Sequence, residues 1–513
     1  MKSHPTPPGP QEIELKLALP TLDPASLVKR LARAPVLARR TPTQQHLHNI
    51  YYDTPDQQLH QARVALRLRR VGSEAHPQWL QTLKTGGRSD SALSQRGEWE
   101  SPVPGSALSW HVLKATPWAD TDADGALFKK LKPCFITQFE RTSWQVRRRN
   151  GSVVEVALDI GYIDVEGKQT PICELELELK AGLPAALFEV ARQIAQTIAV
   201  LPATMSKAER GYALAQDSLD QPWRAQPLIL TPKLPLPQLA QQVLRESFCQ
   251  FTRNLNALRH SDDPEVVHQA RVGWRRFKSA LRFFKPVLAL DAVAPWQALH
   301  ALLVFLGELR DLDVVRTQTL PPLADAYTAG DDRRAQNWHT LFQALNDTTD
   351  LQRKAVRYAL QEPAIGVSLL ATTQWLEDLT SAKASVKAKP VKKVSVRRWT
   401  RQRVLRWQAQ LERALKALNK QGRTDASNAA DYAAQQHRVR LLAKRVRYAV
   451  ESLQPLLSGR QIQRGHPLAE RLQTTLGNQR DVVQACVLAT RLSADRGLIE
   501  FLRGAAASAN LKP

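Results

Sequence analysis

The stretch Glu12-Ile13-Glu14-Leu15-Lys16 near the N-terminus alternates charged and apolar residues without a break. Because successive side chains of a β-strand point to opposite faces, it predicts a strand with both glutamates and the lysine on one face. Two carboxylates beside an ammonium group would suit a divalent cation and the phosphate that it carries. One such strand alone is more typical of a solvated sheet face, so its meaning depends on whether the pattern recurs.

The alternation recurs along the N-terminal part of the chain. Some predicted strands carry only bases on their polar face, as in Leu66-Arg67-Leu68-Arg69, and others carry mostly acids, as in Glu174-Leu175-Glu176-Leu177-Glu178. A closed antiparallel barrel with an ionic interior accounts for this pattern, because each strand then contributes one inward polar row. Burying so many charges is costly, so we expect a wet tunnel that holds a polyanion together with metal ions.

Further short motifs follow in order: Tyr51-Tyr-Asp-Thr54, Leu83-Lys84, Glu98-Trp-Glu100, Leu158-Asp159-Ile-Gly161 and Ser206-Lys207-Ala-Glu-Arg-Gly211. With these motifs, the segment from Gln11 to about Ala215 resembles the CYTH domain of the triphosphate tunnel metalloenzymes. The resemblance implies an eight-stranded antiparallel tunnel that hydrolyses or cyclises triphosphates with Mg²⁺ or Mn²⁺.

The resemblance also implies roles for the charged residues of the motifs. Glu14, Glu176, Glu178 and Lys16 are the expected catalytic residues. It remains open which of the three glutamates from Glu174 to Glu178 ligate metal, because they share one strand face. The residues expected to hold phosphate are Lys16, Arg67, Arg69, Lys84, Arg141, Lys207 and Arg210. Those expected to hold metal are Glu12, Glu14, Glu98, Glu100, Asp159, Glu174, Glu176 and Glu178.

Composition excludes several other classes of protein. No Gly-x-x-x-x-Gly-Lys-[Ser/Thr] loop is present, which excludes a P-loop enzyme. The four cysteines are far apart, which favours reduced thiols in a cytoplasmic protein. The longest apolar stretch, around Leu299 to Leu309, is too short for a membrane span. Residues 1–10 are proline-rich and predict a disordered tail rather than a signal peptide.

The net charge of +24 is unevenly distributed, with +3 in residues 1–220 and +21 in the remainder. The second half therefore predicts a polyanionic partner. The two halves are separated by a cluster of prolines in residues 221–237, which predicts a semi-rigid linker. We assign residues 11–220 to the tunnel domain and residues 238–507 to a second domain.

Beyond the linker the apolar period changes to 3.6 residues, which predicts helices. In the second of these helices the period places Ala270, Trp274, Phe277, Leu281 and Phe284 on one stripe, which is expected to face the core. The predicted helices are Leu239–Arg259, Glu265–Leu288, Trp296–Thr317, Arg333–Glu362, Val396–Asn419, Tyr432–Leu457 and Leu468–Leu492. The half also repeats internally: His268, Arg271, Arg275, Arg276 and Lys278 match His437, Arg440, Lys444, Arg445 and Arg447 at identical offsets. Each run is followed by a Leu-Gly-x-x-Arg-Asp motif, containing Arg310 in one repeat and Arg480 in the other.

The duplicated basic pattern resembles the CHAD domain from about Leu239 to Ala505, a helical domain with an internal two-fold repeat. The resemblance implies that inorganic polyphosphate binds to the basic residues of both repeats, including Arg310 and Arg480. Structural roles for His268 and His437 remain open, and zinc is not expected because no second His or Cys lies at ligand spacing. The basic insert 381–403, with a loop near 381–395, is either a further polyanion contact, a nonspecific nucleic-acid contact or a linker.

The sequence thus predicts an α+β multidomain protein. An eight-stranded antiparallel β-tunnel with flanking helices precedes an all-α helical bundle with an internal two-fold repeat. The predicted function is metal-dependent hydrolysis of inorganic triphosphate to diphosphate and phosphate, with polyphosphate binding by the second domain. The alternatives are a thiamine triphosphatase, an adenylate cyclase-like tunnel enzyme, and a catalytically silent polyphosphate-binding protein. Specific nucleic-acid binding and membrane association are not expected.

Overall fold

The computed structural model describes residues 10–20, 23–72, 76–87, 91–288, 294–380, 395–424, 429–457 and 459–511. The predicted tail, apart from Pro10, and the basic loop of residues 381–394 lie outside the described residues. None of the described helices is both long enough and apolar enough to cross a membrane. The four cysteines, all of which the structure describes, form no disulfide.

The N-terminal half is a closed antiparallel barrel. Eight strands follow the order β5-β4-β3-β2-β6-β7-β8-β1, and pairing between β5 and β1 closes the sheet, as predicted. A short ninth strand extends from β1. The strands are β1 Gln11–Ala18, β2 Thr43–Asp53, β3 Ala65–Val71, β4 Gln78–Lys84, β5 Leu93–Val103, β6 Lys132–Arg147, β7 Val153–Val165, β8 Lys168–Ala181 and β9 Leu201–Pro202.

Helices flank the barrel, and one of them enters it. This last helix, α6, begins with a capping box in which Ser206 and Glu209 each bond the other's backbone N–H. The cap fixes the position at which Lys207 starts the helix. The helices of this half are α1 Leu27–Ala32, α2 Gln58–Gln61, α3 Trp110–Lys114, α4 Trp118–Thr121, α5 Ala185–Ala195 and α6 Lys207–Ala215.

The C-terminal half is helical, as predicted. The expected apolar stripe of the first repeat is buried, with Trp274, Phe277 and Phe284 all in one core cluster. Its helices are α7 Leu236–Ala257, α8 Pro264–Phe284, α9 His300–Val314, α10 Ala324–Thr328, α11 Asp332–Ala359, α12 Pro363–Asp378, α13 Val396–Thr424, α14 Ala429–Leu453, α15 Arg460–Arg491 and α16 Arg496–Leu511. Helices α10, α12 and α16 were not predicted from the sequence.

The proline-rich segment 221–235 packs against the helical half and does not extend freely into solvent. It contains no helix or strand before α7, but its backbone is bonded to that helix: Trp223 exchanges hydrogen bonds with Asn254 at 3.0 and 2.8 Å. The Arg253 guanidinium lies 3.6 Å from the centre of the Trp223 ring. The linker therefore returns along α7.

Helix α12 joins the two halves. Its Leu370 belongs to the apolar core of the barrel, while Ala18 and Leu201 of the barrel belong to the core of the helical half. The helix backbone approaches β9 so closely that a Cβ on Gly366 would lie 2.6 Å from the Val200 carbonyl oxygen. The two halves thus share a continuous apolar interface.

Candidate functional site

The strand register brings the predicted tunnel residues onto the inner face of the barrel. Lys16 on β1 lies opposite Glu176 on β8, and Asp159 on β7 lies between Arg141 and Glu174. Most of the predicted tunnel residues line a cavity of about 420 Å³, whereas Asp159 and Glu174 lie behind that lining. Of the predicted tunnel residues, the cavity is lined by Glu12, Glu14, Lys16, Arg67, Arg69, Lys84, Glu98, Glu100, Arg141, Glu176, Glu178 and Lys207.

The cavity has a basic half and a mainly acidic half, which also carries Lys16, Arg96 and Lys180. Strand order places β7, β8, β1 and β5 side by side, and these strands carry all the predicted acidic residues. The opposite strands β4, β3, β2 and β6 carry Lys84, Arg67, Arg69 and Arg141. The expected division of bases and acids between strands therefore becomes a division of the tunnel wall.

Three neighbouring carboxylates, two of them buried, lie on β7 and β8 at one end of the acidic half. Asp159 and Glu174 are fully or nearly fully buried, and Glu176 lies beside them. The Lys207 Nζ lies 2.6 Å from an Asp159 oxygen, 2.5 Å from Glu174 and 2.9 Å from Glu176. Arg141 adds a bidentate contact to Asp159 at 2.8 and 2.7 Å and reaches Glu176 at 2.6 Å. Asp159, Glu174 and Glu176 are called the acidic triad below.

A second ionic cluster lies toward the start of β1. The Lys84 Nζ is 2.9 Å from Glu12 and 3.0 Å from Glu98. Arg96 reaches Glu12 at 2.9 Å and Glu14 at 2.7 Å, and Lys16 also contacts Glu14. Each carboxylate here is thus paired with cations.

The two arginines of β3 that line the cavity, Arg67 and Arg69, have oriented guanidinium groups. Arg69 Nε donates to Asn49 Oδ1 at 2.9 Å, and the Asn49 amide donates in turn to Thr137 at 2.9 Å. Arg67 Nε donates to Thr82 Oγ1 at 3.3 Å, and both arginines lie 3.7 to 3.9 Å from Glu100. These longer ion pairs leave guanidinium N–H groups available to a ligand in the cavity.

Burial and neighbouring charge separate the carboxylates electrostatically. Burial would raise the pKa of Glu176, but Lys207 and Arg141 hold it well below its usual value. Lys16 and Arg96 likewise outweigh burial and lower the pKa of Glu14. Burial raises the pKa of Glu178 above its usual value, despite the contact with Lys180 at 2.6 Å.

Burial affects the bases of the tunnel as well. It lowers the pKa of Arg69 to about 10, with Arg67 and Arg141 adding to the effect. Burial also lowers the pKa of Lys84. The nearby Arg96 adds to this effect, and the attraction of Glu12 acts against it. Both shifts reflect cations confined together, an arrangement that a bound polyanion would relieve.

The acidic triad has a composition that fits a metal ion. One oxygen from each of Asp159, Glu174 and Glu176 can be chosen so that all three lie within 4.8 Å of one another. Carboxylate oxygens without nitrogen or sulfur are the donors that hard cations such as Mg²⁺ and Mn²⁺ prefer. Among the described residues, the other predicted metal ligands do not form such a group. They lie in the second cluster or beside Lys180, Arg67 and Arg69.

A basic cluster forms where the two repeats of the helical half meet. Arg271 and Arg275 of α8 are electrostatic neighbours of Arg440 and Lys444 of α14. Burial, followed by Arg275 and Arg440, lowers the pKa of Lys444 to about 6. Burial, followed by Arg310, lowers the pKa of His268 to about 4. Arg447 and Arg480 complete the cluster, and Arg480 reaches Asp311 across the repeats at 3.4 Å.

Comparison with known proteins identifies both halves. Residues 10–212 match the CYTH domain family, and residues 242–490 match the CHAD domain family. The chain joins a CYTH domain to a CHAD domain. Over 219 residues it is 33% identical to an inorganic triphosphatase of Haemophilus influenzae, which covers 42% of this chain. The chain spans 57% of the length of that relative.

Solved structures resemble parts of the chain. The CHAD domain from the plant Ricinus communis is 26% identical, with a TM-score of 0.46, and the match covers 57% of this chain and 92% of that chain. PptA from Streptomyces chartreusis is 18% identical, with a TM-score of 0.33, and the match covers 54% of this chain and 100% of that chain.

Several predicted residues of the CHAD domain lie away from the basic cluster. Arg276 was expected to bind polyphosphate, but it is buried and pairs with Glu246 at 2.9 Å and with Gln250 at 2.7 Å. Its guanidinium holds α7 and α8 together, and we remove it from the candidate site. His437 and Arg445 line a groove between α13 and α14 instead, and Lys278 is exposed.

The sequence interpretation missed two cations of the CYTH tunnel. Arg96 pairs with both Glu12 and Glu14, and Lys180 pairs with Glu178. A signal for Arg96 was present, because it precedes Glu98 by two residues and so shares its strand face. Arg210 was expected to hold phosphate and lies outside the cavity lining, where it donates to the Pro171 carbonyl oxygen at 2.6 Å.

Proposed function

We propose that the CYTH domain is a metal-dependent inorganic triphosphatase, which hydrolyses triphosphate to diphosphate and phosphate. The observation that carries this proposal is the single cavity with one basic and one acidic half. A triphosphate needs cations along its length, and its hydrolysis needs a positioned water and charge neutralisation. The triphosphatase relative from Haemophilus influenzae supports the same activity.

In this proposal, the basic residues grip the phosphate chain. Arg67 and Arg69 present guanidinium forks, and Lys84 and Lys16 add point charges from opposite walls. Arg141 and Lys207 lie at the boundary between the basic wall and the acidic triad. They would therefore hold the phosphoryl group nearest to the acids.

The acidic residues have two proposed tasks. Asp159, Glu174 and Glu176 would hold Mg²⁺ or Mn²⁺, which when bound neutralises phosphate charge and acidifies water. Glu14 stays ionised because its pKa is lowered, and it orients Lys16 and Arg96. Glu178 has a raised pKa, and it is the carboxylate best suited to accept a proton from the attacking water.

We further propose that the CHAD domain binds inorganic polyphosphate at the basic cluster. Burial and, after it, the neighbouring cations lower the pKa of Lys444 and of His268 in this cluster. A polyanion would neutralise this mutual repulsion. The proposed contacts are His268, Arg271, Arg275, Arg310, Arg440, Lys444, Arg447 and Arg480.

A substrate panel tests the enzymatic proposal. Purified protein is incubated with inorganic triphosphate, thiamine triphosphate, ATP or long-chain polyphosphate, each with Mg²⁺, with Mn²⁺ and with excess chelator. We expect triphosphate with metal to give the highest kcat/KM and a product ratio of one diphosphate to one phosphate. Preference for thiamine triphosphate, or pyrophosphate release from ATP, would favour the organic triphosphatase or the cyclase. No turnover of any substrate would favour a silent polyphosphate-binding protein.

A further inference from the structure

The motif Tyr51-Tyr-Asp-Thr54 has no role in the proposed chemistry, although its Asp53 is buried and fully bonded. Asp53 ends strand β2 and is 2% exposed. Its Oδ1 accepts hydrogen bonds from the backbone N–H groups of Thr54 at 2.7 Å and Leu59 at 2.9 Å. Its Oδ2 accepts from the backbone N–H of His60 at 2.9 Å. These bonds fix the carboxylate against the start of α2.

A further bond to the Asp53 carboxylate comes from α6. The Tyr212 hydroxyl donates to Asp53 Oδ2 at 2.7 Å. Burial, together with Cys134 and Asp53, raises the pKa of this hydroxyl, so it stays protonated and remains a donor. Tyr212 is itself buried, so solvent does not compete for the bond.

The ring of Tyr212 is held as firmly as its hydroxyl. It stacks on His60 at 4.0 Å and meets Phe135 edge-on at 5.2 Å. Phe135 stacks in turn on Tyr51 at 4.6 Å, and Gly211 leaves room for it, since a Cβ there would lie 2.4 Å from the Phe135 ring. The two residues of β2 thus anchor the same turn of α6.

Lys207 stands at the other end of this short helix, about 7.5 Å from Tyr212 along the helix axis. Its ammonium group is held by the acidic triad. These are the carboxylates that would hold a metal ion, and a cation there competes with Lys207 for the same oxygens. The anchor at Tyr212 uses none of them, so it can keep Lys207 in place when a cation is bound.

We propose that Asp53 is a positioning residue, which holds Tyr212 and thereby keeps α6 and Lys207 at the phosphate end of the acidic triad. This inference rests on the proposed triphosphatase function for its kinetic consequence. Its structural core, the attachment of α6 to β2 through one buried hydrogen bond, does not depend on that function.

A double-mutant cycle tests the kinetic part. Tyr212→Phe removes only the hydroxyl and should lower kcat/KM for triphosphate by about 10-fold, mainly through KM, because Lys207 loses its fixed position. In a Lys207→Ala background the same change should cost less than about 2-fold. Equal losses in both backgrounds would overturn the proposal. Tyr162→Phe, which removes a hydroxyl donating to Gln138 at 3.0 Å, is the matched control and should change little.

Amide hydrogen exchange tests the attachment without reference to activity. In Tyr212→Phe, and separately in Asp53→Asn, the amides of residues 207–215 should exchange at least about 10-fold faster, with barrel strands β6 and β7 unchanged. Unchanged exchange in α6 would overturn the proposal even if activity falls. If the wild-type protein turns over no triphosphate, the proposed function fails while the exchange experiment still decides the attachment.

Discussion

Lys207 shows how a single residue depends on the whole tunnel. It lies far along the chain from Asp159, yet its ammonium group approaches the three acids of the triad within 2.9 Å. Because each acid has at least one cation within reach, the triad is charged and compensated rather than neutralised by protonation. Removing a fully buried member would leave its cations without a partner and destabilise the barrel, so the half-buried Glu176 is the member to substitute.

The first prediction concerns Glu176. Its pKa is held well below its usual value, so it is ionised throughout the working pH range. Glu176→Gln keeps the shape but removes the charge, and we expect kcat to fall by about 10² or more, because transition-state stabilisation is lost. Steady-state kinetics with Mg²⁺ or Mn²⁺ measures the change. Glu189→Gln on the outer helix α5 is the control, and full turnover in excess chelator would contradict the metal assignment.

The second prediction concerns the grip on substrate. Arg69→Ala and Lys16→Ala should each lower kcat/KM for triphosphate by about 10² or more, because each removes a charge-assisted contact within the cavity. Lys29→Ala removes an exposed lysine on α1 and should change little. Comparable losses in all three variants would show that Arg69 and Lys16 are not specific substrate contacts.

The repeated basic helices α8 and α14 hold cations close together, and these cations repel one another. Gly273 brings α8 so close to α7 that a Cβ would lie 2.6 Å from the Phe251 nitrogen. The buried ion pair between Arg276 and Glu246 ties the same two helices. Helix α8 is therefore fixed against α7 and cannot shift to move its cations away from those of α14. The repulsion appears instead in the lowered pKa values of the side chains.

The third prediction follows from Lys444 on α14, whose pKa is lowered to about 6. A bound polyanion should raise this pKa, so binding takes up protons, and affinity should decrease as the pH rises above about 6 toward the pKa of the bound state. Isothermal titration with long polyphosphate at pH 7.5, in buffers of different ionisation enthalpy, measures the uptake.

Matched variants assign that uptake. Lys444→Met should remove most of it and weaken binding, whereas Lys278→Met alters an exposed lysine of the same motif and should leave the uptake unchanged. Binding should also weaken steeply with salt, by analogy with counterion release from other polyanions. Uptake that persists in Lys444→Met would assign the linked proton to another group.

Across the whole molecule, residues of the CHAD domain contact the backbone beside β1, the first strand of the tunnel. Lys16 N–H donates to Ala92 and its carbonyl accepts from Ala203, each at 3.0 Å. Asn256 of α7 donates to the Pro202 carbonyl at 2.9 Å, and Arg259 donates to the Leu19 carbonyl at 3.0 Å. The proline-rich linker alone would predict two separable halves, but these contacts indicate a mutually dependent pair.

The fourth prediction tests this dependence. Gly366→Val should force α12 away from β9 and destabilise the protein by about 1–3 kcal/mol, because the Cβ would overlap the Val200 carbonyl. Thermal unfolding measures the loss. Gly504→Val places the same side chain on an exposed helical site with no neighbouring side chain within 4 Å and is the control.

Because the two halves share an apolar interface, a fragment ending near Gln221 should unfold at a lower temperature than the CYTH domain within the full chain.

Which residues share a strand or helix face can be read from local periodicity alone. Alternation in β1, β3 and β8 predicted the ionic tunnel, and the helical period predicted the buried stripe of α8 and the basic residues of both repeats. These features follow from local periodicity, since the side-chain direction repeats every 2 residues in a strand and every 3.6 in a helix. The eight-stranded closure was available through the family resemblance.

Which faces meet depends on the packing of the folded chain. The acidic triad, the bond from Tyr212 to Asp53 and the interior position of Arg276 join residues far apart in the chain. Helix α12 was missed because it is apolar on several sides, with Ile365, Leu369 and Leu370 all buried, and so lacks a clear one-sided period. A sequence encodes the faces of its elements locally, but their partners depend on strand register and packing, which involve the whole chain.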